Sequence, residues 1–409
     1  MTRSDKDQLV VVLGVVTMVQ ALLSLTVLAA ASIAPEITQA YEIGPETIGY
    51  QISIIYFAAS AGSIVVGVVV RRFGPATTSM IALMIAASGF VGLASEILVI
   101  AALAAFLIGI GYALTNPSAA RILDKHCPSG HHNFVFSLKQ TSVPIGGIIA
   151  ALAFPFIAEA AGWRMTILTA AGLCLIACVI VAPCRRRWDG EREQSVRFRG
   201  GIFAGLAELG RNRGLRSLAI TSFCFSAMQL SLMSYVVSTL VIDLHWTLVV
   251  AGAMTAVVQL FGATGRLVWG LLADRTGSPM ALLATIGAIT TAAGLSMPLL
   301  SADSTLVVVA LILVPFGFAS IEWNGNMLAV IARHVIPEKA GDATGGVMAV
   351  TFVGVVVGPT MLALVRSVTE SFLMAFFWLA LFPMVGAVTA LRAHISAGQG
   401  RKSKDSTDK

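Results

Sequence analysis

The chain contains many long stretches in which nearly every side chain is apolar, and these stretches limit the folds open to it. A run of about 18 or more apolar residues is long enough to cross a bilayer as a helix. Hydrophobic residues make up 57% of the 409 residues and charged residues only 12%, whereas soluble domains carry roughly a quarter charged residues. The sequence therefore predicts an all-α polytopic membrane protein with twelve transmembrane helices. The predicted helices form two sets of six, at residues 9–34, 46–70, 77–97, 98–123, 134–160 and 164–184, and at 215–241, 247–272, 279–300, 304–333, 341–366 and 370–392.

A charged segment, RRRWDGEREQSVRFRGG at residues 185–201, separates the two sets of helices. We interpret residues 185–214 as a cytoplasmic linker between an N-terminal six-helix bundle (1–184) and a C-terminal six-helix bundle (215–394). The last residues, 395–409, form a predicted cytoplasmic tail. The basic residues of the linker could instead bind anionic membrane lipid, and this alternative stays open.

Basic residues fall unevenly on the two sides of the predicted membrane. Of the 27 lysines and arginines, Lys139 and Arg266 lie inside helices, Arg164 and Arg366 lie on one side, and the others lie on the opposite side. Because basic residues accumulate on the cytoplasmic side, we expect both termini to be cytoplasmic, in a bacterial inner-membrane protein. The net charge of +6 follows from this topology. No basic groove with interleaved aromatic residues occurs, so no nucleic-acid partner is expected.

Two loops carry related sequences, GVVVRRFG at residues 67–74 and GLLADRTG at residues 270–277. Each joins the second and third helices of its set through a short cytoplasmic turn, where glycine allows close helix approach and charge anchors the loop. Half of the chain therefore repeats the other half, which predicts two pseudo-symmetric six-helix bundles.

Two six-helix sets, a cytoplasmic linker and this loop in each half resemble the major facilitator superfamily over the whole chain. The family's loop signature is glycine, three residues, aspartate, arginine, one residue and glycine. The second loop matches this signature with Gly270, Asp274, Arg275 and Gly277.

The first loop departs from the signature. It keeps Gly67, Arg72 and Gly74 but has Arg71 at the position of the aspartate. In the family this loop holds the two halves in the outward-open state, so the resemblance implies that the role depends more on Asp274 here. Alternatively, Arg71 only follows the accumulation of basic residues on the cytoplasmic side.

Four intramembrane charges stand out in the predicted helices. A charge at the bilayer centre costs roughly 2.5–3.5 kcal/mol on insertion scales, so such side chains are expected to face a cavity or a partner. Arg121 lies nearer a helix end than the others, which are Lys139, Arg266 and Glu322.

Arg266 lies in the eighth helix, one turn before Gly270 and about 10 Å from the helix end, too deep to reach water easily. A guanidinium at this depth can bind a carboxylate through two parallel hydrogen bonds. An arginine in the eighth helix resembles the monocarboxylate and oxalate transporters of the superfamily, where it engages the substrate carboxylate. Those monocarboxylate carriers often have an aspartate one turn earlier, where this chain has Gly262.

Lys139 lies in the fifth helix, within SLKQTSVPIGG at residues 137–147. It is predicted as a second cation of the substrate site, with Gln140 beside it as a hydrogen-bond donor. Because Lys139 is only about five residues from the predicted helix start, it could instead extend its ammonium to the membrane surface.

Glu322 in the tenth helix is the deepest predicted acid. A carboxyl group in a low-dielectric environment tends to hold its proton, which suits a proton-coupling site. A structural ion pair with Arg266 or Lys139 is the alternative. Asn324 beside it is predicted to line the substrate site or to pack between helices.

The sequence thus predicts a secondary transporter that moves a small organic anion, of the carboxylate class, together with a proton by alternating access. The sequence contains no pairing of a nucleophile with a base, no metal-binding cluster and no cofactor motif, so an enzyme is not predicted. A monomer is expected. A proton-coupled multidrug or metabolite exporter is the alternative, although Pro144-Ile145-Gly146-Gly147 departs from the exporter signature by lacking its first glycine. A membrane sensor without transport activity is a more distant alternative.

Overall fold

The computed structural model describes residues 3–126, 138–139, 141–190, 209–321, 323–324, 326–327, 330 and 340–407. Within these ranges the chain is helical almost throughout, and no β-strand occurs there. In chain order the α-helices are α1 (Arg3–Ser32), α2 (Ala34–Ala40), α3 (Thr47–Phe73), α4 (Pro75–Leu93), α5 (Leu98–His126), α6 (Ser142–Ala161), α7 (Trp163–Val181), α8 (Arg185–Trp188), α9 (Arg213–Ser238), α10 (Leu248–Thr276), α11 (Pro279–Ser296), α12 (Leu306–Ser320), α13 (Ala340–Thr369), α14 (Phe372–Leu379) and α15 (Leu381–Thr407).

Among the described residues, ten helices are long and apolar enough to cross a membrane. The shorter apolar helix α12 and helix α3 bring the count to the predicted twelve. Large apolar side chains remain exposed on these helices, including Val179 (73%), Leu299 (76%) and Val368 (78%). Exposed apolar faces of this extent are expected where a protein contacts lipid. The predicted all-α polytopic fold is confirmed.

Packing divides the chain into two compact units, Met1–Arg199 with Thr247–Ala256, and Gly200–Trp246 with Val257–Lys409. In the first unit α1 packs on α6, and α4 packs on α5 and α7. In the second unit α9 packs on α13, and α11 packs on α12 and α15. The paired helices occupy the same places in the order of the two six-helix sets, as expected if the second set repeats the first. The predicted limits of the linker stay a prediction, since residues 191–208 lie outside the described ranges.

Glycine brings equivalent helices into backbone contact in both units. A Cβ atom at Gly146 of α6 would lie 2.2 Å from the carbonyl oxygen of Ala21 in α1. A Cβ atom at Gly358 of α13 would lie 2.1 Å from the carbonyl oxygen of Ala227 in α9. Small residues are the usual means of close helix packing in membranes, and here they align α1 with α6 and α9 with α13.

The tenth helix differs from the sequence prediction. A continuous helix over residues 304–333 was expected, but α12 ends at Ser320. The carbonyl oxygen of Ile321 accepts a hydrogen bond from Nε2 of Gln229 at 2.6 Å. The prediction of an unbroken helix is therefore wrong, and a side chain of α9 supplies a hydrogen bond to the backbone just after α12 ends.

Candidate functional site

Lys139 is held by two neutral amide groups of the first unit. Its side chain is buried, with 3% of its surface exposed. The Nζ atom donates to Oε1 of Gln20 on α1 at 3.0 Å and to Oδ1 of Asn116 on α5. Amide oxygens are acceptors that fix the position of an ammonium. The ammonium therefore lies between helices rather than extending to the protein surface.

The local sequence explains how Lys139 reaches Gln20. Helix α6 begins at Ser142, three residues after Lys139, and Ser142 Oγ donates to the carbonyl oxygen of Lys139 at 2.5 Å. The close contact of Gly146 with Ala21 places the start of α6 against α1 directly beside Gln20. The predicted partner Gln140 lies outside the described residues.

Arg266 lies where α10 contacts the end of α12. Cβ atoms at Gly262 and Gly265 would lie 2.7 Å from the Ile321 side chain and 2.4 Å from the Phe318 carbonyl oxygen, respectively. Only glycine permits this approach. Arg266 is half-buried. Trp269 follows Arg266, and its Nε1 donates to the Phe318 carbonyl oxygen at 3.0 Å. Contacts with α12 therefore lie on both sides of Arg266 in the sequence, which brings the arginine to the level at which α12 ends.

The end of α12 carries a group of polar side chains. Trp323 is 1% exposed, and its Nε1 donates to Oε1 of Gln229 at 3.1 Å. Asn326 is 2% exposed, and its Nδ2 has no hydrogen-bond partner among the described residues. Asn324 is half-buried. Glu322, the predicted proton-coupling residue, lies outside the described residues, although Ile321 and Trp323 on either side of it are described.

The two loop motifs end on glycines with positive φ. Gly74 has φ 89° between α3 and α4, and Gly277 has φ 63° after α10. Because side chains other than glycine rarely adopt these angles, glycine is required there by backbone conformation. The sequence predicts these glycines for close helix approach, whereas their φ angles give them a conformational role.

The charged residues of the loops lie at the ends of helices. Arg71 and Arg72 occupy the last turn of α3, and Arg275 is exposed in the last turn of α10. Gly67 and Gly270 lie within α3 and α10. The side chain of Asp274 lies outside the described set, so its role stays a prediction.

Charge alone, which marks Lys139 and Arg266 in the apolar runs, does not reveal the neutral amides Gln20, Asn116 and Gln229. Neutral amides inside an apolar run also require hydrogen-bond partners and join helices in membranes. A search for every asparagine and glutamine within the predicted helices would have included all three residues. Their pairing with Lys139, Ile321 and Trp323 could only come from the structure.

Sequence comparison gives a family and two distant relatives. Residues 16–359 match the family described as Major Facilitator Superfamily. An uncharacterized MFS-type transporter of Mycobacterium tuberculosis (strain CDC 1551 / Oshkosh) is 24% identical over 245 residues, as is a second from another strain of that species. These matches cover 59% of this chain and 53% of the relatives, so the chain spans about half the length of the curated relatives it matches.

Several solved structures share the fold. A bacterial homolog of the human lysosomal transporter Spinster, inward-facing and unoccupied, has a TM-score of 0.81 at 15% identity, covering 97% of this chain and 99% of that chain. A mutant of the nucleoside transporter NupG has a TM-score of 0.77 at 16% identity, covering 94% and 99%. A mutant of the E. coli fucose:proton symporter FucP has a TM-score of 0.60 at 17% identity, with the same coverage of 94% and 99%. At these identities the likeness concerns the fold alone.

Proposed function

Because the chain belongs to the major facilitator superfamily, an integral membrane family of transporters rather than enzymes, we propose that it is a secondary active transporter of a small organic anion. The substrate is a carboxylate, and a proton moves with it by alternating access of the two six-helix units. We place the protein in the bacterial inner membrane as a monomer with both termini in the cytoplasm, following the distribution of its basic residues.

The observation that carries this proposal is the environment of Lys139. A buried ammonium is costly unless it is hydrogen-bonded, and Gln20 and Asn116 supply such bonds. Asn116 is exposed, so a ligand can approach the pair from its side. A carboxylate that reaches this position can accept a charge-assisted hydrogen bond from Nζ and a further bond from the Asn116 amide nitrogen.

Arg266 is proposed as the main substrate contact in the second unit, with Gln140 and Asn324 as further polar contacts. Its planar guanidinium can donate two parallel hydrogen bonds to one carboxylate. Two features of Arg266 support this role: its depth in the predicted membrane and its position beside the end of α12. Polar groups of Gln229, Trp323 and Asn326 lie at that end.

Glu322 is proposed as the proton-coupling residue. It follows Ile321 directly in the sequence, and Ile321 packs against Gly262 of α10, one turn from Arg266. A carboxyl group near an arginine can exchange its proton as the arginine gains or loses a substrate carboxylate, because each negative charge competes for the same guanidinium. The residues of the two loops are proposed to control the alternating access of the transporter. They are Gly67, Arg71, Arg72, Gly74, Gly270, Asp274, Arg275 and Gly277.

A thermal-shift screen of the purified protein against carboxylates, amines, sugars and nucleosides tests the proposal. A ligand at a hundredfold excess over its Kd stabilises the folded state by about 2.7 kcal/mol. We expect carboxylates to raise the unfolding temperature of the parent, and Lys139→Gln to lose that response because glutamine keeps hydrogen-bond donors but not the charge. Arg392→Gln, which removes an exposed arginine of α15, should keep the response.

Uptake into proteoliposomes distinguishes the proposed transporter from the exporter and the sensor. Carboxylate accumulation that requires an inward proton gradient supports the proposal. Stabilisation by cationic compounds alone would favour the multidrug or metabolite exporter, and binding without any uptake would favour a membrane sensor.

A further inference from the structure

Gln229 bonds to the backbone on one side of residue 322 and to a side chain on the other. Its Nε2 donates to the carbonyl oxygen of Ile321 at 2.6 Å. Its Oε1 accepts from Nε1 of Trp323 at 3.1 Å. One amide group of α9 therefore holds both sequence neighbours of Glu322.

The chemistry of this arrangement requires an amide of this length. The carbonyl freed by the end of α12 needs a donor, because backbone groups at membrane depth have no bulk water to satisfy them. The indole N–H of a buried tryptophan needs an acceptor. Glutamine supplies both from one planar group, whereas methionine or leucine of similar size supplies neither.

The surrounding packing keeps this amide in place. Trp323 lies edge-on to Phe225 of α9, with ring centroids 5.9 Å apart. A Cβ atom at Gly317 would lie 2.6 Å from the Val258 carbonyl oxygen, so α12 is also fixed against α10 just before it ends. Gln229 thus holds Ile321 and Trp323 by hydrogen bonds, and α12 packs closely on α10 just before it ends.

We propose that Gln229 is a positioning residue that sets the geometry of the tenth-helix break and thereby the coupling of proton and substrate movement. Discontinuous helices in secondary transporters line substrate and ion sites, where small backbone changes alter ligand contacts. Loss of the Gln229 bonds releases Ile321 and Trp323 and with them the segment that carries Glu322. This inference rests on the proposed role of Glu322, but its structural part can be tested without any substrate.

The first test is amide hydrogen exchange of the full-length protein, comparing Gln229→Met with Gln259→Met. Gln259 is a matched control, since it is 5% exposed and its Oε1 has no hydrogen-bond partner among the residues described. We expect peptides that cover residues 316–327 to exchange at least about tenfold faster in Gln229→Met only, because both hydrogen bonds of Gln229 are lost. Equal exchange in the two variants would overturn the inference.

The second test measures transport at matched membrane abundance. Gln229→Met should keep substrate exchange in the absence of a gradient within about threefold of the parent, while its proton-driven accumulation falls by about tenfold. A purely structural role predicts instead that exchange and accumulation fall together, and that result would overturn the coupling role. If the parent itself accumulates no carboxylate, the proposed function fails, and hydrogen exchange alone then decides whether Gln229 holds the break.

Trp323→Phe provides a second variant in case Gln229→Met does not fold. It keeps an aromatic ring beside Phe225 and the bond from Gln229 to Ile321, but removes the donor to Oε1. We expect the same pattern of faster exchange and weaker coupling at smaller amplitude. Unchanged exchange and unchanged coupling in this variant would contradict the inference.

Discussion

Asp189 caps the first turn of helix α4 through hydrogen bonds to Ala76 and Thr77. Its Oδ1 accepts from the backbone N–H of Ala76 at 2.8 Å. Its Oδ2 accepts from the backbone N–H of Thr77 at 3.0 Å and from Thr77 Oγ1 at 2.5 Å. The first loop has Arg71 in place of an aspartate, and a carboxylate reaches this loop from the end of α8 instead.

The cap predicts that Asp189→Ala lowers the stability of the first unit. Asp189 is 4% exposed, and its replacement leaves two N–H groups at the helix start without their acceptor. Loss of an aspartate cap costs about 0.5–2 kcal/mol, and the buried position favours the upper part of this range. The unfolding temperature in detergent measures the effect.

Two further variants test whether loss of the Asp189 cap causes the lower stability. Asp189→Asn keeps an acceptor oxygen and should recover part of the loss, while Asp303→Ala, at an exposed site, should change the unfolding temperature little. If Asp189→Ala unfolds at the same temperature as the parent, the cap does not contribute to stability.

Most of the fold could be predicted from the sequence because membrane helices are set by the length of their apolar runs. Helix α4, predicted at 77–97, occupies Pro75–Leu93, and α11, predicted from residue 279, begins at Pro279. The tenth helix could not be predicted correctly. Apolar residues resume after the polar stretch at 322–326, so the length of the run predicts one helix. The donor to the Ile321 carbonyl oxygen is Gln229, which is 92 residues earlier in the sequence.

The candidate site could be predicted only in part. Lys139 and Arg266 stand out in the sequence because isolated charges in apolar runs are rare. The amides that hold Lys139 are ordinary polar residues in the sequence, and Gln20 lies 119 residues from its partner. Asp189 belongs to a strongly basic segment, so its charge pattern suggested a solvated linker rather than a buried helix cap.

Glu36 of α2 predicts a dependence of stability on pH. Burial, with a further contribution from the nearby carboxylate of Glu159, raises the pKa of Glu36 above its usual 4.5. Its Oε2 has no hydrogen-bond partner in the described part of the chain. The folded protein therefore holds this proton more tightly than the unfolded chain, so the free energy of unfolding should fall as pH rises from about 4.5 through the folded-state pKa.

Glu36→Gln removes this dependence, since glutamine stays neutral at every pH. We expect the variant to unfold at a higher temperature than the parent at pH 7, with the difference shrinking toward pH 4. Asp303→Asn serves as the control at an exposed acid. If the unfolding temperatures of the parent and Glu36→Gln change in parallel between pH 4 and pH 7, Glu36 is not the source of the pH dependence.

Glu322→Gln tests the proposed proton site. A glutamine has the shape of a protonated glutamate but cannot release a proton, so the variant should exchange substrate across the membrane yet fail to concentrate it. Accumulation is measured in proteoliposomes with an inward proton gradient, beside exchange without a gradient. If the variant still concentrates substrate, the proton moves through another group.

Arg266 is predicted to bind the substrate carboxylate directly, and its variants distinguish this role from a structural one. Arg266→Lys keeps the charge but loses the planar pair of donors, so substrate binding should weaken by about tenfold to a hundredfold, as for about 1.5–3 kcal/mol of charge-assisted hydrogen bonding. Arg266→Ala should nearly abolish binding. Equilibrium binding to the purified protein measures both, with Arg392→Lys as the matched control.

The double variant Arg266→Ala with Glu322→Gln decides between the two accounts. If Arg266 only neutralises Glu322, removing both charges leaves no unpaired charge in the membrane, and substrate exchange should return to near the parent rate. If Arg266 binds substrate, the double variant should fold normally but remain inactive, because no guanidinium is left to hold the carboxylate. Exchange is the suitable measurement, since Glu322→Gln alone is expected to retain it, and membrane abundance is matched before rates are compared. Recovery of exchange by the double variant would exclude Arg266 as the substrate contact.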